Sequence, residues 1–125
     1  MIVLDHIVKV FNKGKVNETT ALADVSLQIN KGEFVVMIGS NGSGKTTLLN
    51  IIEGAQKTSG GRVFINNNDV TGLPEHKRSK WIARVFQNPY NGTASELSVL
   101  DNFRLAALRT GSRKLTIGIN GSFQE

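Results

Sequence analysis

One octapeptide does most to limit the folds open to this chain. Gly39-Ser-Asn-Gly-Ser-Gly-Lys-Thr46 fits the pattern G-x-x-x-x-G-K-[ST], which average residue usage produces by chance in roughly one chain in a few hundred of this length. Its flanks supply the context the pattern needs. Phe34-Val-Val-Met-Ile38 is apolar on both faces and is predicted to be a strand at the centre of a sheet covered on both sides. Lys45 to Gly54 places Leu48, Leu49, Ile51 and Ile52 on a helical face, with Gly54 as the C-terminal cap. Strand, glycine loop and helix in that order imply an α/β domain.

Each residue type in the loop has a physical reason. Glycines at 39, 42 and 44 allow backbone angles that would clash with a Cβ, so successive N–H groups can converge on phosphate oxygens. A helix starting near Lys45 adds unpaired N–H donors and the positive end of its dipole. Lys45 can reach β- and γ-phosphates, and the Thr46 hydroxyl can ligate Mg²⁺. The plainer alternative is a Gly/Ser turn joining strand to helix; motif and context together favour a nucleoside-triphosphate site. The loop names neither nucleotide nor reaction, because kinases, GTPases, helicases and transport ATPases share it.

Elsewhere the patterning is local and readable. Ile2, Leu4, Ile7, Val8 and Val10 predict an extended segment ending at Phe11, followed by a turn at 12–15 and a polar loop at 16–20. Ala23 to Ile29 alternates, with Val25, Leu27 and Ile29 on one side, as a half-buried strand does. A turn at 58–61 leads into a strand at 62–65, broken by Asn66-Asn-Asn-Asp69. Pro74 opens a short basic helix, Ile82 to Phe86 reads as another strand, and 88–92 as loop. A helix within 97–108 is predicted to begin near Ser98 or Asp101, and the chain from Thr110 onward to be loosely ordered. The front end is therefore β-rich and antiparallel in type.

Composition excludes several classes. The chain has 125 residues, a net charge of +5, a mean hydropathy of −0.14 and no cysteine, which fits a globular domain without disulfides or thiolate metal sites. No apolar run approaches the ~20 residues of a membrane span, no secretory leader is visible, and a cytoplasmic setting is expected. Residues 1–62 hold seven basic and five acidic side chains, and 63–125 hold eight and five. The excess is spread along the chain. Only Lys77-Arg78-Ser79-Lys80, with Arg84, clusters; without interleaved aromatics it is expected to be a solvated helix face, so no nucleic-acid partner is expected. His6 and His76 have no partners at ligand spacing and are expected at the surface or in packing roles.

Four segments together resemble the ATP-binding cassette (ABC) ATPase family. These are Leu22-Ala-Asp-Val-Ser-Leu-Gln-Ile-Asn-Lys-Gly-Glu33; Gly39 to Ile52 with Gly54 and Gly60-Gly-Arg-Val63; Arg84-Val-Phe-Gln-Asn-Pro89; and Phe11 at the end of Ile7-Val-Lys-Val-Phe11. The resemblance implies a P-loop NTPase (RecA-like) core with an N-terminal antiparallel β subdomain, incomplete at the C-terminus. It implies ATP and Mg²⁺ as cofactors. Gly39, Ser40, Asn41, Gly42, Ser43, Gly44, Lys45, Thr46 and Thr47 would hold the triphosphate, with Lys45 and Gln87 the catalytic pair. Thr46 and Gln87 would contact Mg²⁺, and Phe11 would stack on adenine, its alternative being a core aromatic at a strand end. It divides 1–125 into a β-rich lead-in (1–38), phosphate loop and helix (39–54), strands up to Gln87 (55–90), and the start of a helical subdomain with a loose tail (91–125).

The same resemblance implies a membrane permease as partner, with 88–100 facing it, and a second nucleotide-binding domain in a dimer. A separate solute-binding protein and a location on the inner face of the cell membrane complete the expectation. Other family elements are missing. Asp69 follows polar residues and Val99-Leu100-Asp101 is too short, so neither is an apolar run ending in the Mg²⁺-binding Asp; Asn120-Gly-Ser-Phe-Gln124 only echoes the signature segment; and no histidine follows His76. The expectation is a transport ATPase subunit of which 1–125 alone lacks efficient hydrolysis, is marginally folded and exposes apolar strand faces. The alternatives are a non-catalytic ATP-binding fragment and a non-transport ATPase of the same type; a small-molecule kinase is disfavoured because no Arg-rich lid is apparent.

Overall fold

Alternation in the first thirty residues produces two long strands, β1 (Ile2–Phe11) and β2 (Thr19–Ile29), which pair antiparallel. The computed structural model describes residues 1–108, and the chain divides into two units, Met1–Arg84 and Val85 onward. In the first unit β3 (Gly60–Ile65) takes the other edge of β1, and the two-residue β4 (Asn68–Asp69) pairs with β3, giving the order β2-β1-β3-β4. Leu4 stands opposite both Leu27 and Val63, so β1 is held on both edges. The β3–β4 turn is Asn66-Asn67, with φ of 47° and 65°. Two positive φ values are what a tight two-residue hairpin requires, and Asn tolerates them better than most residues.

Helix α1 (Lys45–Glu53) lays Leu48, Ile51 and Ile52 against Leu4, Ile7, Leu22, Val63, Ile65 and Val70, and this is the core. Each such side chain contributes roughly 1.5–3 kcal/mol when fully buried. Gly54 ends α1 at φ 91°, its N–H on Asn50 O, as predicted. The short helix α2 (Glu75–Arg78) follows Pro74. The strands are irregular midway. His6 and Asp24 have φ of 50° and 61°, and the β1–β2 register slips between Leu4 and Ile7.

Several expectations fail. Phe34 to Ile38 is extended but forms no strand: among the described residues nothing pairs with it, and Phe34 and Ile38 are 92% and 89% exposed. A strand needs a neighbouring ladder, and an apolar run alone does not provide one. Ile82 to Phe86 forms no strand either; its first amide continues the turn of α2 by bonding Arg78 O. The basic cluster is not uniformly solvated, since Arg78 is buried in the unit's interior while Lys77 and Lys80 are exposed. Leu49 points off the buried face of α1, and β2 begins at Thr19, inside the predicted loop.

The second unit contains a 3₁₀ turn at Pro89–Asn91 and helix α3 (Val99–Leu108). Ser98 begins the helix: its Oγ accepts from Asp101 N at 3.2 Å, as an N-cap does, and donates to Asp101 Oδ2 at 2.6 Å. The Asn102 amide ties the preceding turn to Ala94 N and O. The loose tail from Thr110 and the segment Asn120 to Gln124 lie outside the described residues.

Candidate functional site

At the N-terminus of α1 two of the three loop glycines, Gly42 and Gly44, take left-handed backbone angles, and Gly39 does not. Gly44 is the cap residue at φ 87°, and a Cβ there would lie 2.7 Å from Ala21 O and 2.9 Å from Leu22 Cδ2. The loop thus sits directly on β2, and only glycine combines that backbone angle with that approach. Gly42 has φ 82° with open space around it, and a Cβ on Gly39 would meet Ser43 Oγ at 2.7 Å.

No side chain caps α1. The N–H groups of Lys45, Thr46 and Thr47 have no acceptor among the described residues, while Leu48 N is the first to bond, to Gly44 O at 2.8 Å. Unpaired donors at a helix N-terminus form an anion site. Lys45 Nζ donates to Gly39 O and Ser40 O, both at 2.7 Å, and to Ser43 Oγ at 3.3 Å. The ammonium is therefore held over the loop by neutral acceptors, and among the described residues no carboxylate pairs with it.

The result is a cavity of about 240 Å³ lined by Ala21 and by every residue from Asn41 to Thr47. It is smaller than the ~300–1,000 Å³ of pockets for drug-sized ligands, so its size suits a phosphate chain with the rest of a nucleotide outside. The donor set fits such a group: three orphan amides, one ammonium, two threonine hydroxyls, and room that a Cβ at Gly44 would fill.

Phe11 stands opposite Thr19 at the end of β1, half-buried, with Lys9 Nζ 5.0 Å from its ring centroid, and it does not line the cavity. Gln87 lies in the second unit, exposed in a bend. His6 is exposed and bonded to Asp24, as a surface residue. Sequence reasoning missed Ala21, whose carbonyl floors the loop. It also missed two arginines at the far end of α1: Arg78, bonded to Ile51 O and Ile52 O, and Arg84, bonded to Asn50 Oδ1 and paired with the buried Glu53 carboxylate. Nothing in their spacing announces either contact.

Residues 22–122 match the family model for the ABC transporter. The chain belongs to the ABC transporter family. It is 41% identical over 106 residues to the tyrosine transport ATP-binding protein of Clostridioides difficile (strain R20291), covering 85% of this chain and 42% of that protein. A probable branched-chain amino acid transport ATP-binding protein of Methanocaldococcus jannaschii is 38% identical over 112 residues, covering 89% and 41%. Among solved structures, a dimeric ATP-binding cassette in a post-hydrolysis state bound to ADP and Pi superposes with a TM-score of 0.78 at 32% identity, covering 98% of this chain and 51% of that one. A nucleotide-free cassette from an ABC transporter gives 0.72 at 35% identity, covering 90% and 42%.

The fold is that of the ABC ATPase cassette, a P-loop NTPase with an antiparallel β sheet, and the chain is a partial nucleotide-binding domain. It spans about two-fifths of the length of the curated relatives it matches. Members of the family are ATPases that bind ATP.

Proposed function

We propose that this chain is the phosphate-binding portion of an ATP-binding subunit of an ABC membrane transporter. The observation that carries the reading is the row of unpaired N–H groups at 45–47 beneath the Lys45 ammonium. In this reading Gly39 to Thr47 wrap the β- and γ-phosphates of ATP, and Lys45 exchanges its bonds to Gly39 O and Ser40 O for phosphate oxygens. The Thr46 hydroxyl would hold Mg²⁺, which would supply positive charge to offset that of the triphosphate. Gln87 as an Mg²⁺ or water contact and Phe11 as an adenine platform rest on the sequence resemblance alone.

Binding is separable from turnover. Among the described residues no carboxylate lines the cavity, and in this reading the chain by itself holds ATP and hydrolyses it slowly. As part of a whole nucleotide-binding domain of this family, it would couple hydrolysis to solute movement through a permease, with a second nucleotide-binding domain and, for an importer, a solute-binding protein, at the inner face of the cell membrane. Among the described residues no helix is long and apolar enough to cross a membrane.

Calorimetric titration with ATP and Mg²⁺ tests the reading. Lys45→Ala removes a charged hydrogen-bond donor worth about 1.5–3 kcal/mol and should weaken binding at least about tenfold, while Lys77→Ala, an exposed cation of α2, should leave it unchanged. Equal losses in both variants would reduce the interaction to charge alone and end the reading.

A further inference from the structure

We propose that Arg78 is a positioning residue for the phosphate loop: it clamps the C-terminal carbonyls of α1 and thereby fixes where Gly44 to Thr47 stand. The functional part of this inference rests on the nucleotide-site reading above.

Arg78 is 2% exposed and reaches back from α2 to the other end of the helix that carries the loop. Its Nη1 donates to Ile51 O at 2.7 Å and Ile52 O at 2.9 Å, its Nε to Leu73 O at 2.8 Å and its Nη2 to Thr71 O at 3.1 Å. The last carbonyls of a helix have no partner within it. Asn50 O is taken by the amides of Gly54 and Gln56, and Arg78 takes the next two. Among the described residues no carboxylate forms an ion pair with Arg78. A buried cation without a paired anion is ordinarily costly; here the negative end of the helix dipole and four backbone oxygens stand in for one. Burial holds its pKa below the usual arginine value, with Asp69 opposing the shift.

Gly54 makes the clamp possible. At φ 91°, a Cβ on it would lie 2.8 Å from Arg78 Nε and 3.0 Å from Leu73 O. Arg84, on Asn50 and Glu53, is a second strap on the same helix end. Leu48, Ile51 and Ile52 press α1 onto the sheet, but apolar contact is non-directional and resists sliding along the helix axis weakly. Hydrogen bonds to the terminal carbonyls are directional and supply that restraint. At ~1.5 Å per residue α1 is about 14 Å long, so Arg78 acts through the helix and touches no phosphate.

The test uses Arg78→Lys, Arg78→Met and Gly54→Ala in the whole chain, with Ile65→Val as a control that trims the core beneath α1 but leaves every bond to the carbonyls of Ile51 and Ile52 in place. Amide resonances of Gly42, Gly44, Lys45 and Thr46 are recorded without nucleotide, and ATP–Mg²⁺ affinity is measured by calorimetry. Arg78→Lys, which cannot reach four carbonyls, should shift those resonances and weaken binding by about tenfold, as small displacements at a positioned site do. Gly54→Ala should reproduce the effect, and the double variant should be no worse than either single one. Ile65→Val should move neither readout. Loop resonances and affinity in Arg78→Lys that match Ile65→Val would overturn the inference, as would shifted resonances with unchanged affinity. If Arg78→Met does not fold, Arg78→Lys decides. If the parent chain binds no ATP, the nucleotide reading fails and the loop resonances still decide this one.

Discussion

Two apolar runs in this molecule have opposite fates. Ile2–Phe11 carries Asp5, His6 and Lys9 among its hydrophobics, yet it becomes the doubly paired β1 with Leu4 and Ile7 buried. Phe34 to Ile38 has no polar residue at all and remains unpaired, with Val36 64% exposed. Local hydrophobicity would rank them the other way. What differs is the supply of neighbours: β2 returns after a seven-residue connection and β3 arrives from beyond α1, whereas none of the described residues offers an edge to 34–38. Strand formation is thus decided by partners, and propensity measures only how well a segment fits a surface already there.

Paired alanine substitutions give the largest expected contrast. Ile7→Ala empties a fully buried site and should cost about 2–5 kcal/mol. Val36→Ala, in the more apolar run, should stay within about ±0.5 kcal/mol. Urea unfolding of the two variants measures both, and comparable losses would mean that 34–38 is packed after all. In a longer protein that supplies neighbours on both edges, Val36→Ala should become destabilising by about 1–2 kcal/mol.

A smaller effect probes how closely β1 depends on its second edge. Gly61 sits at φ 83°, and a Cβ there would fall 2.2 Å from His6 O and 2.5 Å from Asp5 O. Gly61→Ala should therefore push β3 away from the middle of β1, at about 1–3 kcal/mol, and make that edge resemble the unpaired run. Gly72→Ala, with nothing within 4 Å, serves as control. Faster hydrogen exchange at Leu4 and Asp5 in the first variant alone is the expected result; equal exchange in both would show that the β1–β3 ladder does not need the close approach.

What was legible in the sequence follows the same division. An extended apolar pattern located β1 and alternation the 23–29 part of β2, and glycine chemistry located the loop, the start of α1 and its Gly54 cap, because each signal lies within a few residues of the structure it causes. The Ser98 cap was readable for the same reason. The fate of 34–38 was not, since it hangs on strands from elsewhere. Nor was Arg78, which in sequence is one of several neighbouring cations and becomes buried only because the carbonyls of Ile51 and Ile52 end a helix beside it. Ala21 entered the cavity through the approach of β2 to Gly44. Of the candidate site, the glycine loop was local and readable; the supports that hold it were not.

The smallest expected effect lies in the bulge of β1. His6 Nδ1 is 2.6 Å from Asp24 Oδ1, Asp5 lies 3.9 Å from Nε2, and both His6 and Asp24 have positive φ. The bond to Asp24, its charge and that of Asp5 raise the His6 pKa above its ordinary value of 6.5. A raised folded-state pKa means that protonated His6 stabilises the fold. That contribution is fully present below pH 6.5 and fades as pH rises through the folded value. The unpaired run 34–38 holds no titratable group, so any stability slope there is flat. His6→Asn keeps a residue that tolerates positive φ and removes the titration. The urea midpoint of the parent chain should fall between pH 6 and pH 8, and that fall should shrink in His6→Asn and in Asp24→Asn. An unchanged slope in both variants would place the pH dependence elsewhere and leave the bulge as geometry alone.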